Sequence, residues 1–129
     1  MKTILAFIAL ATAIVCMKKD ESILLSTEQL AQTVQLGEAI SRLRLARRIR
    51  QQDAALRAGL SRPTASKIER GDPGRTLGQV IRYLGAIAPG MTLAQLVEGK
   101  DPSLLALAAS ERRQRVRELS AEERRKLDF

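Results

Sequence analysis

One stretch of the chain decides how it folds: QQDAALRAGLSRPTASKIERG, residues 51–71. Gly59 follows Ala55 by four positions, and glycine tolerates the left-handed backbone that ends a short helix in a tight turn. Ser61 can cap a second helix, and Pro63 fits the first turn of that helix, where a missing N–H does no harm. Ala55 is small enough for two helices to approach closely. The pattern therefore predicts two short helices joined by a tight turn.

The second of these helices seals the turn with Leu60 and Ile68 and is polar elsewhere. Its outward side chains can donate and accept hydrogen bonds at base edges in the major groove of DNA, and they are Arg62, Thr64, Ser66 and Lys67.

The run resembles the Cro/CI-type (XRE) helix-turn-helix family of bacterial and phage regulators over about residues 36–97. The positions that carry the resemblance are Gln51, Ala55, Gly59, Leu60, Ser61, Arg62, Thr64, Ser66, Lys67, Ile68, Glu69 and Gly71. The resemblance implies an all-α fold, with a five-helix lambda-repressor-like DNA-binding domain and a helical, partly ordered C-terminal tail.

The resemblance also implies roles for individual side chains. Arg62 would form two hydrogen bonds to a guanine, Lys67 would read a second base, and Thr64 would touch a thymine methyl or a phosphate. The residues expected to hold backbone phosphates are Gln51, Ser66, Arg70 and Arg75. Glu69 is expected to pair with a nearby arginine instead of meeting DNA, and Ser61 to act as a plain N-cap.

Two positions depart from the family pattern. Ala54 and Ala65 stand where a larger aliphatic residue is common. Each would thin the core at a cost of about 1–3 kcal/mol unless neighbours fill the space. Leu56 or the helix before the motif are the candidates for filling it.

The positive charge is concentrated around the motif. The 129 residues carry a formal net charge of +8, and residues 41–75 contain nine Arg and one Lys against three acids. A basic surface of this kind suits a polyanion, although Arg-rich helices are also often plain solvated faces. Arg47, Arg48 and Arg50 fit either description. Aromatic residues make up 2% of the chain, so its core must be aliphatic, which favours a helical bundle.

The chain contains no His and one Cys, Cys16. These counts exclude a Ser-His-Asp triad, a Cys-His pair, a zinc finger and a disulfide framework. We therefore expect no enzyme activity, no cofactor and no metal.

Capping signals predict a helix over about residues 27–48, with a weak point at Gly37 because glycine destabilises a helix interior. Four more helices follow, over 51–58, about 62–70, 77–87 and 93–97. The predicted organisation is 1–16 as a leader or mis-assigned start, 17–35 as an N-terminal helical extension, 36–98 as the DNA-binding domain, and 99–129 as a basic tail. The tail has few large apolar residues, so it is expected to add little core and to order on a partner.

Residues 4–16 carry no charge but are too few to cross a bilayer, which takes about 20. Three interpretations remain open. The chain starts at Met17, or it carries a secretory signal cleaved after Ala13, or it has an apolar membrane tether. We favour the start at Met17, which predicts a cytoplasmic protein with no membrane partner.

Proteins of this family bind palindromic operators in double-stranded DNA as dimers, so we expect a homodimer. The residues expected at its interface are Tyr83, Leu84, Ile87, Met91 and Leu93. Alternatively, these residues only close the core of the monomer.

A finer resemblance points to HipB-type antitoxins. It is carried by GDPGRTL at residues 71–77 and GMTL at residues 90–93. It implies autoregulation of an operon and binding to a kinase-like HipA-type toxin, with the C-terminal tail as a candidate segment for contact with the toxin or with DNA. The alternatives are a stand-alone or phage-type repressor and, from another class, a secreted or membrane-tethered basic protein.

Overall fold

The computed structural model describes residues 20–116, 122, 125 and 126. The leader, the proposed start at Met17 and most of the segment after residue 116 lie outside the described residues. A 3₁₀ turn at Glu21–Ile23 precedes six helices. They are α1 (Thr27–Ala46), α2 (Gln51–Ala58), α3 (Arg62–Glu69), α4 (Leu77–Ile87), α5 (Leu93–Glu98) and α6 (Pro102–Val116). Helices α1 to α5 confirm the predicted five-helix, all-α fold.

Hydrogen bonds from capping side chains determine the residue at which three of the helices begin. Three helices start with a capping box, in which a hydroxyl accepts the N–H three residues on and a glutamine returns a bond to the cap. In α1, Ser26 Oγ accepts the Gln29 N–H at 3.2 Å, while Gln29 Oε1 accepts the Ser26 N–H at 2.9 Å. The other two boxes are Thr76 with Gln79 at α4 and Thr92 with Gln95 at α5.

The core lies where α2 packs against α3 and α4, with α1 crossing α3. The alanines of the motif are almost fully buried, including Ala54 and Ala65 at 0% exposure. Leu56 does not fill the space beside them, because it is 79% exposed. Ile40 and Leu43 of α1 share the core with these alanines, so the helix before the motif supplies the missing volume.

The residues predicted to form a dimer surface close the monomer core instead. Tyr83, Leu84 and Ile87 are at most 2% exposed, and Met91 and Leu93 pack partly buried against the same cluster. The helical repeat correctly marked an apolar face of α4, but that face is turned inward against α2. The exposed apolar residues of α4 are others, Leu77 and Ile81.

Helix α1 runs unbroken through Gly37, contrary to the predicted weak point. Gly37 is buried because α1 crosses the end of α3 there. A methyl group at Gly37 would lie 2.6 Å from both the Glu69 carbonyl oxygen and the Gly71 nitrogen. Gly71 has φ +74°, and a methyl group added there would overlap the backbone of α1 at Thr33 and Val34. The two glycines together let the backbones of α1 and α3 touch.

Helix α6 packs on α1, so the C-terminal segment contributes more structure than its composition predicted. Leu104 packs against the core cluster. Asp101 accepts a hydrogen bond from Arg47 at 2.8 Å, and Glu111 accepts one from Arg42 at 3.1 Å. Apolar packing that includes Leu104 and two partly exposed ion pairs thus attach α6 and the residue before it to the domain.

We expect Gly37→Ala to destabilise the fold by about 1–3 kcal/mol or more, because its methyl group would overlap backbone atoms that cannot rotate away. Urea unfolding followed by circular dichroism measures this. Gly85→Ala is the matched control, since a methyl group at Gly85 meets nothing within 4 Å and alanine is the better helix former. Equal effects of the two substitutions would contradict the close approach.

Candidate nucleic-acid interface

The turn between α2 and α3 depends on Gly59. This residue has φ +66° and ψ +33°, in the left-handed region that other residues rarely adopt. The Leu60 N–H donates to the Ala55 carbonyl at 2.9 Å and the Gly59 N–H to that of Leu56 at 3.1 Å. The chain therefore reverses within three residues, and α3 begins at Arg62.

Ser61 caps α3 as predicted. Its Oγ accepts the Thr64 N–H at 3.3 Å and lies 2.8 Å from the Thr64 hydroxyl. The Thr64 hydroxyl is therefore already hydrogen-bonded to Ser61, whereas the Thr64 methyl group takes no part in the cap.

Six of the seven predicted site residues lie on α2, on α3 or directly after α3. Arg62, Lys67 and Arg70 are exposed, whereas Ala65 and Ile68 of α3 face the core. The other three predicted side chains are half-buried, and they are Gln51, Thr64 and Ser66. Helix α3 thus buries an apolar face and presents charged and polar side chains on the other side.

Arg75, the seventh predicted residue, is placed differently from the others. Its side chain is only 11% exposed, and its Nε lies 3.6 Å from a carboxylate oxygen of Asp72. Asp72 also accepts the Gly74 N–H at 2.8 Å, which orders the loop after α3. The Arg75 side chain therefore lies largely buried within this loop, and among the described residues its Nε has no hydrogen-bond partner.

A buried ionic cluster holds α3 in place. Glu69 accepts hydrogen bonds from Arg44 at 2.5 Å and 2.9 Å, and from the Tyr83 hydroxyl at 2.6 Å. Arg44 donates a further bond to the Ile49 carbonyl at 2.9 Å. The Arg44 and Glu69 side chains are 12% and 8% exposed. Glu69 thus pairs with an arginine, and the cluster joins α1, α3 and α4.

The cluster shifts the acid–base properties of its members. Burial by itself would raise the pKa of Glu69, but the hydrogen bonds from Arg44 and Tyr83 outweigh it and hold that pKa below its usual value. Burial, and then the hydrogen bond to Glu69, raise the pKa of Tyr83 well above 10. The hydrogen bond to Glu69 raises the pKa of Arg44. The cluster is therefore a charged pair with a neutral phenol.

Sequence reasoning missed two contacts of the basic residues. Arg47 donates a hydrogen bond to Asp101 at 2.8 Å while its side chain stays partly exposed. Lys67 and Arg70 line a cleft of about 540 Å³ together with Asp20 and Ser22, which precede α1. Both arrangements bring together residues more than 40 positions apart, so no local sequence pattern predicts them.

The comparisons with known proteins agree with this geometry. Residues 40–86 match the family model described as Helix-turn-helix. These residues form a helix-turn-helix, which is similar to that of the Cro/CI type. The match begins within α1, includes α2 and α3, and ends at the penultimate residue of α4. A helix-turn-helix of this type is a DNA-binding domain of transcription regulators, and its partner is double-stranded DNA.

No curated protein and no solved structure matches the chain. No helix in the described ranges is long and apolar enough to cross a membrane.

We expect the Tyr83 hydroxyl to stay protonated as long as the protein is folded. Because its pKa is raised in the folded state, its contribution to stability is present below the unfolded pKa of about 10 and is lost as pH rises through the folded value. Tyr83 is the single tyrosine and Trp is absent, so near-ultraviolet absorbance reports it alone.

In such an alkaline titration, tyrosinate should appear only as the helical circular dichroism is lost. Glu69→Gln removes the carboxylate that disfavours ionisation, so tyrosinate should form at lower pH in this variant. Reversible ionisation near pH ~10 with the helices intact would contradict the buried cluster.

Proposed function

We propose that the chain is a sequence-specific regulator that reads an operator through the outer face of α3. The observation that carries this proposal is the division of α3 into a buried side, with Ala65 and Ile68, and an exposed side, with Arg62 and Lys67. A helix that packs by its apolar side and exposes hydrogen-bond donors on its opposite side can enter a major groove.

The proposed base contacts come from the exposed ends of α3. Arg62, in the first turn, forms two hydrogen bonds to a guanine, and Lys67 reads a second base about one turn further on. The Thr64 methyl group contacts a thymine, since its hydroxyl is tied to Ser61. These three side chains determine sequence preference.

The proposed phosphate contacts flank α3. Gln51 stands at the first position of α2, where free N–H groups favour an anion, and Ser66 and Arg70 lie on or just after α3. A phosphate contact by Arg75 would require its pair with Asp72 to open. The phosphate contacts fix orientation and supply the salt-dependent part of affinity.

One helix-turn-helix reads only a few base pairs, so we propose that two copies bind a palindromic operator as a homodimer. We further propose that the protein acts in the cytoplasm as the antitoxin of a HipA/HipB-like pair. Support for this comes from the residues that resemble HipB-type antitoxins, at 71–77 and 90–93. The candidate contact segment of such an antitoxin includes α6, on which Arg112, Arg113 and Arg115 are exposed.

We expect Arg62→Ala to weaken operator binding by about 1–3 kcal/mol and to relax base preference at one position of each half-site. Arg70→Ala should weaken binding to all sequences alike and reduce the slope of log affinity against log salt by about 1. Electrophoretic shifts on the DNA upstream of the protein's own gene, at several salt concentrations, measure both effects.

Arg112→Ala is the matched control, because Arg112 is exposed on α6 and carries the same charge. Unchanged affinity and base preference in Arg62→Ala would remove Arg62 from the reading surface. A loss as large in Arg112→Ala would mean that general charge, and not α3, drives binding.

We expect the natively expressed protein to co-purify with a larger kinase-like protein encoded next to it, which mass spectrometry of the purified complex identifies. The complex should bind the upstream DNA more tightly than the antitoxin alone. Purification without any partner, together with full repression of its own promoter, would favour the stand-alone repressor instead.

A further inference from the structure

The outer side of α4 carries an apolar stripe that the monomer leaves uncovered. Leu77 and Ile81 are 62% and 51% exposed, and Gly85 continues the same line at a spacing of four residues. The opposite side of the helix, with Tyr83, Leu84 and Ile87, fills the core. Helix α4 is therefore apolar on two sides, one of which faces outward.

Gly85 is not needed by the fold of one chain. A methyl group there meets nothing within 4 Å, in contrast to Gly37, and glycine inside a helix is less stable than alanine. Because the monomer does not require a glycine here, Gly85 indicates a position where the backbone of another chain approaches α4 closely.

A groove lies beside the stripe, between α4 and α1. Its volume is about 170 Å³, and its apolar lining includes Leu36 and Ile40 of α1 and Leu77 and Val80 of α4. The same face thus offers protruding side chains, a flat position at Gly85 and a recess. A surface with both protrusions and a recess can match a copy of itself across a two-fold axis.

Charge also favours a second copy on this face. Residues 77–98 contain a single Arg, a single Glu and no other charged residue, whereas residues 41–75 hold most of the net charge. Two chains of +8 repel each other through their basic surfaces, and they approach more readily where α4 exposes Leu77 and Ile81. The adjoining groove carries one charge of each sign, Asp72 and Arg75.

Helix α4 alone is too small to supply the area that a stable dimer interface buries. A helix of 11 residues is about 16 Å long, while stable interfaces bury about 800 Å² on each partner. The contact must therefore reach across the groove to the first half of α1, where Glu28 is the one charged residue in 27–36.

We propose that a second copy of this chain packs on the α4 stripe, formed by Leu77, Ile81 and Gly85, and on the adjoining groove. This inference deepens the proposed function, on which it rests for the pairing of two copies. It assigns the pairing to a surface different from the one that the sequence pattern suggested.

Sedimentation equilibrium of the full chain without DNA tests the proposal. The wild-type protein should form dimers, and Ile81→Glu should raise the dissociation constant at least tenfold. Val97→Glu, at a residue 75% exposed on α5, is the control and should leave dimers intact. A monomeric wild-type chain, or loss of dimers in Val97→Glu but not in Ile81→Glu, would overturn the proposal.

Gly85→Ala separates a structural effect from an interface effect. It should raise the melting temperature at concentrations where the chain is monomeric, and yet weaken dimer formation. A variant that is more stable and pairs as well as the wild type would overturn the role of the stripe.

A second binding experiment distinguishes the operator proposal from the α4-stripe proposal. It uses a duplex that carries one half of the palindrome, which footprinting of the upstream DNA locates. Ile81→Glu should bind this half-site like the wild type, because α3 is untouched. Loss of half-site binding in this variant would mean that a single DNA-binding domain needs Ile81 to bind DNA, and it would overturn the interface role of Ile81. Absence of DNA binding in every form would defeat the operator proposal while leaving the association data to judge the stripe.

Discussion

The contact between Arg44, Glu69 and Tyr83 is the constraint on which the position of α3 depends. A carboxylate that is 8% exposed requires partners, and it finds them on α1 and α4. Removing Arg44 or Glu69 would leave the other charge buried and unpaired, which costs about 3–5 kcal/mol in proteins. Such clusters add little net stability compared with apolar packing, but their fixed geometry can specify one arrangement. Here that arrangement is the angle of α3 to the helices behind it.

The same end of α3 is also where the backbones come closest. Gly37 and Gly71 bring α1 against the last turn of α3, next to Glu69. Ionic bonds and backbone contact thus hold the C-terminal end of α3, while Ser61 caps its N-terminal end. The residues that hold the helix are different from those that point outward. Arg62, Lys67 and Arg70 can therefore be substituted without disturbing the contacts that hold α3.

Short-range patterns predicted the helices well, and long-range contacts explain the errors. The capping boxes and Gly59 act within four residues, so the bounds of α2 and α4 followed directly from the residues around them. Gly37 was interpreted as a weak point because its distant neighbours, Glu69 and Gly71, cannot be seen in a local pattern. The phosphate contact expected of Arg75 stays a prediction, but the burial of its side chain beside Asp72 depends on the final shape of the loop, which the local sequence does not show.

The amino-acid sequence by itself determined the all-α class, the helix-turn-helix and the side chains that α3 presents, because these depend on residues a few positions apart. Only the tertiary structure decided which apolar face of α4 is core and which is free. Both faces repeat with the helical period, and burial depends on which side α2 occupies. The structure likewise turned Tyr83 from an interface residue into a buried partner of Glu69, since that bond joins side chains that only folding brings together.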